Sequence, residues 1–128
     1  MEVQEVKVVT PNPAPLESNL TVRTTFKTTQ DLKNVCWVYR YNPDVATTLS
    51  KPLQLGHSKP RDYNEGTHTE EFTVDQIDTS CFNDEALLNT GLIVATLEGN
   101  ETFVEVKMVV QVSKEEDGSK TRTIFNPL

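Results

Sequence analysis

Histidine, cysteine and tryptophan are scarce in this chain, with two, two and one in 128 residues. That scarcity removes most metal and nucleophile chemistry. His57 and His68 lie in separate segments, and neither pairs with Cys36 or Cys81 at the spacing of a zinc site. There is no phosphate-cradling glycine loop and no Gly-x-Ser-x-Gly elbow. Both histidines read as surface residues, and acidic pairs such as Glu70-Glu71 and Asp84-Glu85 as solvated surface. The expectation is a protein that is not an enzyme and that needs no metal or cofactor. No apolar run approaches the ~20 residues of a membrane span. Positive charge is also in deficit: 12 Lys and Arg face 19 Asp and Glu, a net charge of −7. Nucleic-acid backbones and anionic membranes repel such a surface, and basic partners are attracted to it.

The chain opens on MEVQEVKVV, without a cationic leader followed by an apolar core. Cys36 and Cys81 are therefore expected to be buried free thiols in a reducing compartment. Asn19-Leu20-Thr21 and Asn100-Glu101-Thr102 match the glycosylation sequon, a match that arises readily by chance.

What is present is a period of two. From Asn19 to Thr29, Leu20, Val22, Thr24, Phe26 and Thr28 share one face, and Thr21, Arg23, Thr25, Lys27 and Thr29 the other. Residues 3–10 read as a preceding strand, closed by Pro11, Pro13 and Pro15. Asn34–Tyr41 carries apolar residues on both faces, which predicts a central strand. Leu49, Leu53 and Leu55 mark a short edge strand interrupted by Pro52, and Gly56–Gly66 reads as a loop. His68–Gln76 is another strand. Asn83 is placed to cap one helical turn to Leu88. Leu87–Leu97 and Thr102–Val112 are long apolar strands joined by the hairpin signal Glu98-Gly99-Asn100-Glu101. Thr121–Phe125 reads as a last strand or as part of a flexible tail from about 114. The expected fold is a single all-β, immunoglobulin-like antiparallel β-sandwich over residues 1–128.

One set of motifs is more specific than composition. Asn12-Pro13-Ala14-Pro15-Leu16 is followed by Thr25-Phe26, Asp31-Leu32, then Trp37 and Tyr41. Further on come Gly66-Thr67-His68 ahead of Phe72, Asp84 before an apolar strand, Gly99 and Phe103. In order and spacing, over about residues 3–115, this resembles the anti-silencing-function histone chaperones.

The resemblance implies an immunoglobulin-like chaperone, nuclear with a cytoplasmic pool, that binds the histone three/four dimer in nucleosome assembly or disassembly. It places the histone-binding concave face, an apolar strip flanked by charge, at Asp84, Leu88, Thr90, Leu92, Glu105 and Val109. Thr90 stands where the family has valine, Glu105 where it has arginine and Val109 where it has tyrosine. A second family surface receives other chaperones by strand addition. Here it corresponds to Asp31, Leu32, Leu53, Leu55 and Phe72, and its turn, Lys33-Asn34, has lost the family's acid. The alternative expectation is an immunoglobulin-like interaction module with a non-histone partner.

Overall fold

The computed structural model describes residues 1–44 and 51–128. The chain is nearly all β. Its described strands are β1 (Glu2–Val8), β2 (Ala14–Pro15), β3 (Leu20–Thr28), β4 (Leu32–Asn42), β5 (Leu53–His57), β6 (Arg61–Tyr63), β7 (Gly66–Val74), β8 (Gly91–Glu98), β9 (Thr102–Lys114) and β10 (Lys120–Ile124). The short helix α1 spans Asp84–Leu87. Two antiparallel sheets, one ordered β1-β3-β7 and one ordered β2-β10-β9-β8-β4-β5 with β6 on β4, enclose the core as a sandwich curled into a half-barrel.

Alternation of side chains builds both layers. Leu20, Val22, Thr24, Phe26 and Thr28 of β3 are all buried, as the period of two requires. Val35, Trp37, Tyr39 and Tyr41 of β4 meet them from the opposite sheet. Phe26 sets its ring edge-on to Trp37 at 5.4 Å and to Tyr63 at 5.1 Å, and Tyr39 stacks on Phe72 at 4.1 Å. β4 is central, pairing with β8, β5 and β6. Asn83 caps α1 by accepting the Ala86 N–H at 2.8 Å.

Several expectations need correction. Gly56–Gly66 is not a loop throughout: Arg61–Tyr63 adds a short strand whose Tyr63 is buried. Leu87 closes α1, so β8 begins later, at Gly91. Leu49 lies outside the described residues, while Leu53 and Leu55 do sit on the edge strand β5. The last segment resolves as a strand over Lys120–Ile124, with Arg122 opposite Val112 in the β9–β10 ladder and Phe125 just beyond it. Both thiols are free, but neither is buried: Cys36 is half-buried on β4, and Cys81 is exposed in the β7–α1 connection. His68 is half-buried too, tilted against Tyr63 at 5.0 Å with Nε2 2.6 Å from the Asn64 carbonyl.

Two core tyrosines differ in their hydroxyls. Tyr63 donates to Glu70 at 2.7 Å, and Arg61 donates to the same carboxylate oxygen at 2.6 Å. The Tyr41 hydroxyl is buried without a hydrogen-bond partner among the described residues, and burial pushes its pKa up to about 12. An orphaned buried hydroxyl costs about 1–3 kcal/mol of desolvation, whereas a hydrogen bond to a charged acceptor contributes about 1.5–3 kcal/mol. Tyr41→Phe is therefore expected to stabilise the domain by about 1 kcal/mol and Tyr63→Phe to destabilise it by about 2 kcal/mol. Urea unfolding of the two variants reads both signs.

Candidate partner-binding face

The seven-stranded sheet turns Ile93, Ala95 and Leu97 of β8 and Val106, Met108 and Val110 of β9 into the core. The residues between them must therefore point outward. Register places Leu92 directly opposite Val109, and the Phe125 N–H donates to the Val109 carbonyl at 2.9 Å. Leu92, Val109 and Phe125 thus form an apolar row across β8, β9 and the segment that follows β10. Leu92 is half-buried, while Val109 is 38 % and Phe125 49 % exposed. Leu88, the C-cap of α1, is exposed as the chain approaches β8. Thr90 and Gln111 lie beside the row, joined by a 3.2 Å hydrogen bond.

Charge borders the row along the outer face. On one side Arg40 donates to Glu98 at 2.9 Å and to Thr96 at 3.3 Å, Thr96 donates to Glu98, and Lys107 meets Glu105 at 3.3 Å. Where β9 and β10 leave the sheet, on the inward parity of Val112 and Arg122, Asp84 receives Lys120 at 2.9 Å on Oδ1 and Lys114 at 3.2 Å on Oδ2. Beyond it the β9–β10 turn exposes Glu115, Glu116 and Asp117, and α1 exposes Glu85.

The hydrogen bond from Thr96, aided by Arg40, holds the Glu98 carboxyl below the usual carboxylate range, and Lys120 with Lys114 does the same for Asp84. A carboxyl depressed on folding adds stability that is complete above its unfolded pKa, about 4, and is lost as pH falls through the lower folded value. The contacts of Glu98 and Asp84 are therefore expected to persist from pH 7 to 5 and to loosen only below about pH 4. Amide shifts of β8 and α1, followed by NMR through that range, test the window; movement between pH 7 and 5 contradicts it.

Of the six positions of the implied histone face, strand alternation puts Leu92, Glu105 and Val109 on the outer face and Thr90 bonds Gln111 beside them, whereas Asp84 pairs with Lys114 and Lys120, which share the inward parity of Val112 and Arg122. Asp84, Thr90, Glu105, Leu88 and Val109 are exposed and Leu92 is half-buried. Glu105 interrupts an apolar strand because its side chain points outward, where Lys107 balances it. Phe125 belongs with the row but escapes sequence reading, since it follows the last strand in a segment read as strand or tail. Its signal is its place one residue after the inward-facing Ile124.

The second set does not assemble as an open surface. Leu32 is 3 % and Phe72 7 % exposed, because both side chains fill the space between the sheets. The Asp31 carboxylate is taken by the Glu65 N–H at 2.8 Å. Leu53 and Leu55 pack partly against the core from β5, the last strand of its sheet. An open groove of about 900 Å³ lies between the β3–β4 and β8–β9 turns, walled in part by Cys36, Glu98, Gly99 and Phe103. No histidine lines it, and its lysine, Lys33, is turned to Asp62 at 3.8 Å. Among the described residues, no group of three or more His, Cys, Asp or Glu side chains is placed to hold a metal ion. No helix among them is long and apolar enough to cross a membrane. Neither a family model nor any curated protein matches this chain.

Proposed function

We propose that this domain acts by binding rather than catalysis, as a divergent histone chaperone that receives the histone three/four dimer on the outer face of its seven-stranded sheet. One observation carries the reading. Of the five large apolar side chains most exposed among the described residues, Val109 and Phe125 are neighbours, joined through a backbone hydrogen bond, with Leu92 opposite Val109. Apolar side chains gathered in one place mark a surface built for a partner. The row suits the apolar stripe of a helix, and the acids Glu85, Glu115, Glu116 and Asp117 at its end attract a basic protein. Histones are basic and helical, and the resemblance of the sequence points to them independently. A nuclear protein with a cytoplasmic pool follows from that partner.

The test is retention of refolded histone three/four dimers at physiological salt, against an unrelated acidic domain of equal charge. Stronger retention by this domain supports the reading; equal retention removes it.

A second reading, an interaction module with a non-histone partner, is favoured by the Glu105–Lys107 pair. Where the family presents an arginine, this face presents an acid, and a partner carboxylate there is repelled. A partner screen that returns one reproducible non-histone protein and no histone decides for it.

A further inference from the structure

The three-stranded sheet ends at β7, a nine-residue strand that pairs with β3 alone and without a register shift. The ladder shows which of its backbone groups lie on the free edge. The Val9 N–H donates to the Thr21 carbonyl and the Thr21 N–H to the Thr10 hydroxyl, so the backbone of Thr21 faces away from β7. Backbone groups alternate in direction along an antiparallel strand. Leu20, Val22, Thr24, Phe26 and Thr28 therefore bond to β7, and Thr67, Thr69, Glu71 and Thr73 turn their N–H and C=O groups outward from the edge. Among the described residues nothing bonds to those groups. Proteins block such edges with a bulge, a proline, a lysine or a very short strand. The other sheet ends follow that rule. β1 is bulged between Val3 and Glu5 and its Val6 carbonyl accepts from Asn126, β2 has two residues, and the β4–β5 ladder shifts register. β7 has neither bulge, proline nor lysine. Its one inward charge, Glu70, opposite the buried Thr24, is balanced within the chain by Arg61 at 2.6 Å.

We propose that the protein self-associates through β7, two copies pairing antiparallel about Thr69 so that their three-stranded sheets join into one. The occupant is a second copy because the strand is complementary to itself in a single register. A two-fold axis must fall on a residue whose backbone faces outward. At Glu71 the axis sets that carboxylate against its own copy, and at Thr73 it sets Glu71 against Asp75; like charges directly opposite repel. At Thr67 it leaves only residues 66–68 of the strand paired. At Thr69 it pairs residues 66–72 of each copy. Thr69 then meets Thr69, His68 meets Glu70, Thr67 meets Glu71, and Phe72 stands opposite Gly66, where it covers a position without a side chain. Thr67, Thr69 and Glu71 bond main chain to main chain across the join.

Sedimentation velocity of the full chain over a concentration series tests this. The contact is small, so dimerisation is expected with a dissociation constant on the order of 100 µM. Thr69→Pro removes the central donor at a position that bonds nothing on β3, and Thr69→Lys sets two ammonium groups on the axis with the backbone unchanged. Each is expected to weaken dimerisation at least about tenfold while the circular dichroism stays that of the wild type. In a Cys36→Ser/Cys81→Ser background, Thr69→Cys is expected to cross-link to its own copy on oxidation, because facing Cα atoms in such a pair lie about 5.5 Å apart. Thr73→Cys, about 27 Å from its copy in this register, is expected not to. The proposal is overturned by a wild type that stays monomeric at about ten times that dissociation constant. A folded Thr69→Lys protein that dimerises like the wild type overturns it too, as does cross-linking at Thr73 equal to that at Thr69. Pairing at β7 uses the edge of the other sheet, so histone retention on the seven-stranded sheet is read separately from it.

Discussion

Arg122→Met is expected to cost about 3–5 kcal/mol of folding stability, a large effect for one surface-type residue. The guanidinium is 1 % exposed and faces no carboxylate among its hydrogen bonds. Nη1 donates to the carbonyls of Leu16 and Ser18 at 2.8 Å each, and Nη2 donates to the carbonyl of Asn19 at 2.7 Å. These three residues lie in the connection from β2 to β3, so one side chain of β10 fixes the chain where it passes between the sheets. Methionine fills the volume but leaves three carbonyls without their charged donor. Hydrogen bonds to a charged group contribute about 1.5–3 kcal/mol each, and burial of the guanidinium offsets part of that sum. Lysine keeps the charge but lacks the planar fork that reaches two sites at once, so Arg122→Lys is expected to recover less than half of the loss. Urea unfolding of the three proteins measures it; a Met variant within about 0.5 kcal/mol of wild type, the scale of an ordinary surface change, contradicts this account of Arg122.

Arg122 also marks where reading the sequence stops short. The run Lys120-Thr121-Arg122-Thr123-Ile124 has the period of two, and Arg122 shares the inward face of Ile124. A rule that sends arginine to the surface overrides that pattern, because nothing local shows the three carbonyls contributed from more than 100 residues away. β3, β4, β8 and β9 were legible because each repeats its alternation over many residues, enough for one face to be buried without ambiguity. Glu105 was legible as exposed for the same reason. Leu32 and Phe72 were misplaced as partner surface because an apolar residue near an edge reads the same whether it faces a partner or its own core. Only the pairing of β7 with β3, which turns Phe72 onto Tyr39, separates the two. The ion triad of Asp84, Lys114 and Lys120 joins a helix and two strands, and charged residues separated in sequence carry no local signal of pairing.

Val109→Glu is expected to abolish partner binding, by at least about 100-fold, while leaving the domain folded. Val109 sits mid-strand between Leu92 and Phe125, the centre of the apolar row, where binding energy concentrates once water is excluded. A carboxylate there must either lose its water against an apolar partner or hold the partner away, and each costs several kcal/mol. In the free protein the same side chain reaches solvent, as Val109 is 38 % exposed, so the thermal midpoint should fall by only a few degrees. The neighbouring residue supplies the contrast. Val110 is 1 % exposed and points into the core opposite Gly91, and Val110→Glu is expected to unfold the domain outright. Moving one residue along a strand exchanges the two faces of the sheet, so the pair separates a surface effect from a folding effect within a single backbone step. Circular dichroism with histone retention, run on both variants, reads the two consequences independently. A folded Val109→Glu protein that still binds at wild-type strength shows that the row is not the contact surface, and a folded Val110→Glu protein shows that β9 does not face the core as its register demands.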